Sequence, residues 1–422
     1  MLRIFKGRGI RTPWHLRVLY ISTFILRTAF GALLLLIADY VPTENSLLNV
    51  AIVAVPYPFA EMVTANYFGI LSDRIGRKVV IVAGTALAAV IVVFYTLSNN
   101  VWYLATLHGI HGIGAAATVA PAIAMIADHA DTCDRGRQMG WFDYSTFLGY
   151  IVGAVAGGFL IDLAGSTAGF LFIAGLLAIS ALLLQKLVHK EPARMKSEHY
   201  ANLDSLKRVF KIREIRLMFP IWLIIAILLG LAITYLPRIM LDAGMTGSAI
   251  GLMFGAAGIV LGLLQPFWGK VSDIVGRIPV MAYGVFSIFG IVVMLLFFPD
   301  AAFYKDSLGD YHFRIIGMIP LGLMGLGAGA FVPAALAMMA DSSDKNCYGA
   351  TMGLYSFALG FGAFIAESLG LAIIAVSGED KAPSWLLYLA AALIAFAVVM
   401  MVYFFLVTAI KKRYPGSGTG AK

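Results

Sequence analysis

Twelve apolar segments of the chain are each long enough to cross a lipid bilayer, and this feature limits the possible folds more than any other. A spanning helix needs about 20 mostly apolar residues. In the hydrocarbon core only helices and closed barrels satisfy every backbone hydrogen bond, and barrel strands would alternate polar and apolar residues. No such alternation occurs, so the sequence predicts twelve helices at 16–40, 47–71, 78–98, 101–127, 138–163, 167–188, 216–240, 247–271, 278–299, 314–340, 349–376 and 384–410.

The composition agrees with lipid as the solvent. Of the 422 residues, 60% are hydrophobic and only 13% are charged, whereas soluble proteins carry about 25% charged residues. The net charge is +8, but the basic residues lie at the ends of the apolar segments and form no separate basic domain. We therefore expect the lipid bilayer as a partner and no nucleic acid.

The distribution of lysine and arginine predicts the orientation, because cytoplasmic loops carry the excess of basic residues. If the N-terminus is inside the cell, the inner loops and tails hold 26 of the 31 basic residues. The sequence therefore predicts a multi-pass protein of the cell membrane with both termini in the cytoplasm. The five exceptions are Arg27, Arg238, Lys305, Arg314 and Lys381.

The chain also contains an internal repeat. GILSDRIGRK at 69–78 recurs as GKVSDIVGRI at 269–278, and APAIAMIAD at 120–128 recurs as PAALAMMAD at 333–341. The offsets are 200 and 213 residues, and a longer loop around 300–313 accounts for the difference. We expect an all-α membrane protein of two six-helix bundles related by a pseudo-twofold axis, with the same direction through the membrane. The predicted parts are 1–188, a cytoplasmic linker at 189–215, and 216–422 with a flexible tail.

The repeated loop carries the strongest motif. The segment from Gly69 to Lys78 resembles the signature loop of the major facilitator superfamily, G-x-L-x-D-R-x-G-R-K, between its second and third helices. Asp73 can face Arg77 or the positive end of a helix, and Gly69 can permit close helix contact. The resemblance, which covers the whole chain, implies a gate that contacts the start of the eleventh helix near Gly349. The gate residues are Gly69, Asp73, Arg74, Gly76, Arg77 and Arg137, and in the second copy Gly269, Asp273, Gly276 and Arg277.

Two further family motifs match in part. The fourth helix of many members carries an arginine linked to proton coupling, but here His108 and His111 stand in a retained glycine frame. The fifth helix of many antiporters ends G-P-x-x-G-G, and here Gly153, Gly157 and Gly158 remain without the proline. The missing proline weakens the resemblance to drug:proton antiporters without removing it.

Arg27 and Glu61 are the principal charges placed deep in the membrane by the sequence. At 1.5 Å per residue, Arg27 lies roughly 15 Å and Glu61 roughly 18 Å from the inner face. We predict that they form a buried pair. Such a pair can be structural, or Glu61 can exchange a proton or bind substrate, because burial favours its neutral form and Arg27 its charged form.

Other candidates for proton coupling or substrate binding are less specific. Asp143 and Tyr144 can belong to the inner gate or to the cavity floor, and Glu367 can line an outer vestibule or reach the interface. His108 and His111 lie one turn apart and can relay protons or bind a carboxylate, or can simply be hydrogen-bonded packing residues. A metal site is not expected, since cysteine and carboxylate ligands are missing beside the two histidines.

The chain is interpreted as a secondary transporter rather than an enzyme. It has no phosphate-binding loop and no pattern of a nucleophile with a base, so we expect no ATP-driven step and no cofactor. The resemblance implies a monomer that moves a small-molecule substrate by alternating access, with protons as coupling ions and efflux of amphipathic or drug-like compounds as the leading function. The alternatives are proton-coupled uptake of a small organic anion and a non-transporting receptor or sensor.

Overall fold

The computed structural model describes residues 14–129, 135–188, 209–298, 303–305, 311–313, 315–342 and 348–413, and nearly all of them are helical. The first half of the chain contains the helices Trp14–Tyr40, Ser46–Ala54, Pro56–Ile75, Arg77–Tyr95, Val101–His129 and Arg135–Leu187. The second half contains Arg213–Asp242, Gly247–Leu263, Gln265–Val275, Arg277–Phe297, Ile315–Ala328, Phe331–Ser342, Tyr348–Ser377 and Ala382–Arg413.

The described residues contain eleven stretches long and apolar enough to cross a membrane, and one of them crosses twice. The helix Arg135–Leu187 has 53 residues, and Gly165 inside it has φ 77° and ψ 162°, which is not helical. At 1.5 Å per residue this helix would reach about 80 Å, far more than a bilayer. Gly165 therefore divides it into two crossings, and the prediction of twelve transmembrane helices is confirmed.

The twelve crossings are called spans 1–12 in chain order, and span 5 ends where span 6 begins, at Gly165. Spans 2, 8 and 10 each consist of two helical pieces, which the apolar segments did not predict. Span 2 breaks before Pro56, and span 8 breaks just before Pro266. A proline has no backbone N–H to donate, so it interrupts the helical hydrogen-bond ladder.

A short β-hairpin lies between spans 9 and 10. Phe303–Lys305 pairs antiparallel with Tyr311–Phe313, and Tyr304 faces His312 in the register. The sequence predicted only a longer loop here and did not indicate the hairpin, which leaves the all-α fold class unchanged.

Each half has its own apolar core. In the N-terminal half (14–188) Leu36, Val92 and Phe170 are fully buried, and in the C-terminal half (209–413) Trp222 stacks on Phe331 at 5.7 Å between ring centroids. Two separate cores are what two six-helix bundles require. Residues 189–208 lie outside the described part of the chain, so the predicted linker stays a prediction.

Spans 5 and 8 form a tight seam between the halves. A Cβ added at Gly251 would lie 2.5 Å from the carbonyl oxygen of Ala154, and one at Gly258 would lie 2.6 Å from the side chain of Ile151. Glycine is needed at such positions because the two backbones approach too closely for a larger residue. The seam therefore fixes span 5, together with its side chains, against the opposite half.

Candidate functional site

Arg27 is positioned by a glycine stripe on span 5. A Cβ at Gly149 would lie 2.6 Å from the Cβ of Arg27, and one at Gly157 would lie 2.7 Å from Ala32 on span 1. Small residues at this spacing let two helices pack backbone to backbone. The close packing brings Tyr150, next to Gly149, against the guanidinium group of Arg27.

Tyr150 is the hydrogen-bond partner of Arg27. Nη1 of Arg27 donates to the Tyr150 hydroxyl at 3.0 Å, and the guanidinium carbon lies 5.4 Å from the centre of the Tyr150 ring. This arrangement combines a charged hydrogen bond with a cation–π contact. The buried Nε of Arg27 has no hydrogen-bond partner among the described residues.

The predicted direct pair between Arg27 and Glu61 is wrong for this structure. Within the described part of the chain no hydrogen bond or ion pair joins the two side chains, and Arg27 is bonded to Tyr150 instead. The physical reason is that span 5 packs closer to span 1 than the sequence suggested. Tyr150 therefore occupies the donor that would otherwise face Glu61.

Glu61 lies near the centre of span 2 and is partly exposed. Tyr57 lies one turn before Glu61 on the same helical face and packs on His108 at 4.9 Å between ring centroids. Glu367 lies near the centre of span 11 in the opposite half. Each half thus has one carboxyl group near the middle of a span.

His108 and His111 share a single tyrosine. The Tyr95 hydroxyl lies 2.9 Å from Nδ1 of His108 and 3.4 Å from Nδ1 of His111, and both histidines are buried. A hydroxyl can donate to one ring nitrogen and accept from the other. No group of three or more metal ligands occurs in the described ranges. Both interpretations, relay and packing, remain compatible with this geometry.

Two small cavities lie inside the N-terminal half, and Arg27 and Thr118 line both. The first also borders Tyr57 and His111. The second borders Ser22, whose buried hydroxyl has no partner among the described residues. Each has about 20 Å³ open to the centre of a water molecule, which is enough for one water with several polar partners.

Glu367 is buried between spans 7 and 11. Its side-chain Oε1 accepts a hydrogen bond from the Thr234 hydroxyl at 3.2 Å. Its backbone carbonyl oxygen accepts one from the Tyr235 hydroxyl at 2.8 Å. Oε2 is buried and has no partner among the described residues. The side chain therefore lies inside the C-terminal half, where a charged carboxylate would be costly.

The other predicted residues of span 5 are less informative. Tyr144 is exposed and meets Trp141 edge to face at 5.8 Å. The side chains of Asp143 and Arg137 lie outside the described part of the chain, so their roles stay predictions.

The two copies of the signature loop have the same geometry. Asp73 and Arg77 form an ion pair, and Arg77 donates to Ser72 at 2.6 Å. Of the two partners considered for Asp73, Arg77 is thus the one that the structure shows. Gly76 has φ 100°, a conformation that favours glycine. Arg74, by contrast, is exposed.

In the second copy Arg277 pairs with Asp273 and donates to Ser272 at 2.7 Å. It also donates from Nε to Asp341 at 2.9 Å, and Gly276 has φ 106°. The loop therefore joins the start of span 9 to the end of span 10, within one half.

The close helix contact predicted for Gly69 is not made. No described atom lies within 4 Å of a Cβ built at Gly69 or at Gly269. The side chains around Gly349 lie outside the described residues, so the expected contact with span 11 stays a prediction. At this membrane face, called the terminal face because span 1 begins and span 12 ends there, the two glycines stand clear of their neighbours.

The opposite face, called the distal face, is held by two reciprocal helix caps. Asp162 at the end of span 5 accepts from the backbone N–H groups of Gly247 and Ser248 at 2.9 and 2.8 Å. Glu379 after span 11 accepts from those of Leu47 and Leu48 at 3.0 and 2.7 Å. A carboxylate from each half thus caps the N-terminus of a helix in the other half, where negative charge is favoured.

Arg238 adds a third link at the distal face. Its Nη1 donates to the carbonyl oxygen of Ala38 at 2.9 Å, and its Nη2 pairs with Asp242 at 2.6 Å. Asp242 in turn accepts from the Ser46 hydroxyl at 2.6 Å. The hydrogen bonds in which both partners are described residues from opposite halves lie at this face, and they close the space between the halves there.

Sequence reasoning missed Tyr150, Asp162 and Glu379. The glycines of span 5 were compared only with a family motif, and no contact with span 1 was predicted from them. Asp162 and Glu379 lie at helix ends, where a carboxylate ordinarily indicates solvent exposure. Each residue acts through a partner more than 80 positions away, and a single sequence does not indicate such pairs.

Comparison with known proteins shows the family. The model of the Major Facilitator Superfamily matches residues 18–303 and 218–421. The chain is similar, at 25% identity over 360 residues, to an uncharacterized MFS-type transporter of Methanocaldococcus jannaschii, covering 84% of this chain and 89% of that one. It is also 25% identical over 369 residues to the proton-coupled antiporter flippase LtaA of Staphylococcus aureus, covering 84% and 86% of the two chains.

The fold agrees with a solved structure. The crystal structure of the nucleoside transporter NupG superimposes with a TM-score of 0.71 at 14% identity, and the match covers 93% of this chain and all of that one. A likeness at this identity shows the two-bundle fold alone. Together with the match over the whole chain, the twelve spans and the repeated signature loop, it shows that this chain belongs to the Major Facilitator Superfamily and is a secondary transporter.

Proposed function

We propose that this protein is a proton-coupled antiporter of the cell membrane that exports amphipathic compounds, with Glu61 as the proton-binding group. The observation that carries the proposal is a partly exposed carboxyl group at the centre of span 2 whose neighbouring arginine is bonded elsewhere. Such a carboxyl can be neutral or charged at modest cost, because the arginine stabilises the charged form and burial the neutral form. The terminal face is cytoplasmic in this proposal, as the basic residues indicate.

The second seam between the halves supports an amphipathic substrate. Phe59 on span 2 meets Phe364 on span 11 at 5.4 Å between ring centroids. Val63 follows Phe59 on the same helical face, and Phe357 lies two turns before Phe364; both are exposed. Unlike the glycine seam of spans 5 and 8, this seam presents large apolar side chains that can contact the apolar part of a substrate. The similarity to a proton-coupled antiporter flippase agrees with such a substrate.

Uptake of a small organic anion has weaker support. Arg27 is the cation that would hold the anion, but its Nη1 is already bonded to Tyr150. Glu61 lies near the centre of span 2, and its charge, when it is deprotonated, would repel an anion. A non-transporting sensor has no specific observation in its favour.

The test uses the purified protein in proteoliposomes and an imposed pH gradient of either sign. The probes are a fluorescent amphipathic cation, a neutral amphiphile and a radiolabelled organic acid. We expect at least one amphiphile to move against the proton flux, at a rate that follows the gradient. Movement of the organic acid with the protons would support uptake instead, and transport insensitive to the gradient would exclude proton coupling.

A further inference from the structure

Tyr150 lies in span 5 between two residues that each contact another span. On one side its neighbour Gly149 packs on Arg27, and its hydroxyl accepts from Arg27 at 3.0 Å. On the other side its neighbour Ile151 packs on Gly258 of span 8, in the opposite half. A displacement of span 8 along this tight seam therefore moves the residue that binds Arg27.

Arg27 has two possible anionic or polar partners but is bonded to one. Arg27 and Tyr57 line the same cavity, and the ring of Phe30 lies 5.3 Å from that of Tyr57 and 5.7 Å from that of Tyr150. Glu61 follows Tyr57 by one turn on the same face of span 2, so its carboxyl group lies on the side of span 2 that faces Arg27. The buried Nε of Arg27 has no partner among the described residues, so the guanidinium group has donor capacity left for a carboxylate.

We propose that Tyr150 is a positioning residue that holds Arg27 away from Glu61, and that Arg27 moves between the Tyr150 hydroxyl and the Glu61 carboxylate as Glu61 gains and loses its proton. This inference rests on the proposed function and gives the mechanism by which protonation of Glu61 is coupled to the seam of spans 5 and 8.

The exchange follows from elementary electrostatics. When Glu61 is protonated it carries no charge, and Arg27 is held by the hydroxyl and ring of Tyr150. When the proton leaves to water between the halves, the carboxylate becomes the stronger partner, because an ion pair with hydrogen bonds exceeds a bond to a neutral hydroxyl. Arg27 then releases Tyr150, and the contact between spans 1 and 5 loosens beside the seam with span 8.

The experiment measures proton binding directly, so it does not depend on transport. Infrared spectra of the purified full chain in lipid nanodiscs are recorded as a function of pH, and the carboxyl band that disappears in Glu61→Gln is assigned to Glu61. In Tyr150→Phe the ring stays and only the hydroxyl is lost, so Arg27 is free to pair with the carboxylate. We expect the midpoint of the band to move to lower pH by about one unit, a tenfold weaker proton affinity.

Two controls separate this role from a structural one. Tyr388→Phe removes a hydroxyl from an exposed tyrosine of span 12 and should leave the midpoint in place. The double variant Glu61→Gln/Tyr150→Phe should lack the band. A midpoint that is unmoved or raised in Tyr150→Phe would overturn the inference, whether or not this variant also unfolds at a lower temperature. A wild-type spectrum without a titrating Glu61 band would overturn it as well. If the midpoint shifts in Tyr150→Phe as expected but transport does not respond to the pH gradient, the proposed function is rejected and the inference about Tyr150 stands.

Discussion

At five positions around the membrane centre the N-terminal half carries an ionisable or phenolic side chain, and the matching position of the C-terminal half carries an apolar one. The repeat offsets of 200 and 213 residues align Arg27 with Ile227 and Glu61 with Leu261. By the same alignment Ala363 takes the position of Tyr150, and Leu321 and Met324 those of His108 and His111.

The helix packing that surrounds these positions is nevertheless shared. A Cβ at Gly149 would meet Arg27 at 2.6 Å, and a Cβ at Gly362, its repeat partner, would meet Ala226 at 2.6 Å. The distal caps are also reciprocal between the halves. The comparison teaches that symmetry sets the helix contacts and the closure, whereas the polar chemistry is confined almost entirely to one half.

The largest expected effect tests that confinement directly. Glu61→Gln should reduce gradient-driven transport to the level of protein-free liposomes while substrate counterflow continues, because the neutral amide cannot carry a proton. Glu367→Gln in the other half should keep a clear response to the gradient. Equal loss in both variants would place the coupling chemistry in both halves and break the comparison.

A matched pair of glycines separates packing from coupling. Gly149→Ala and Gly362→Ala should each lower the free energy of unfolding by about 1–3 kcal/mol, since the added methyl group meets close neighbours. Only Gly149→Ala displaces Arg27, so only this variant should also shift the pH dependence of transport. Thermal unfolding in detergent and pH-jump flux give the two readouts. A pH shift in Gly362→Ala would contradict the division of roles.

The distal caps should behave alike in the two halves. Asp162→Asn and Glu379→Gln each weaken a carboxylate on a helix N-terminus, an interaction of about 1 kcal/mol. Each should shift the distal face toward opening by about fivefold, and the double variant should shift it further. Spin-label distances across the distal face measure the open fraction. Strongly unequal single variants would show that the reciprocal geometry does not carry equal energies.

The smallest expected effect on transport concerns the histidines. Tyr95→Phe leaves two buried imidazole nitrogens without their hydroxyl and should cost about 1–2 kcal/mol of stability. We expect proton-driven transport to continue, as for packing residues. Loss of coupling at unchanged counterflow would assign the histidines a relay role.

The sequence alone predicted the scaffold well. Lipid imposes a minimum helix length, so the twelve apolar segments were visible. The repeated loop indicated the two-bundle architecture and named Arg77 as one of two possible partners of Asp73. The partner of Arg27 was predicted wrongly, because helix adjacency in sequence favoured Glu61 over Tyr150, which lies 123 positions away. Arg238 was an unexplained exception among the basic residues, and its buried bond to Ala38 now accounts for its position.

The reciprocal caps also bear on how the distal face opens. Asp162 and Glu379 each accept two backbone hydrogen bonds from a helix of the opposite half, and each carboxylate faces a helix N-terminus. The two caps lie on different pairs of spans, so separation of the halves has to break both. The distal closure is therefore a two-point clasp, in which either cap alone still keeps part of the rim together.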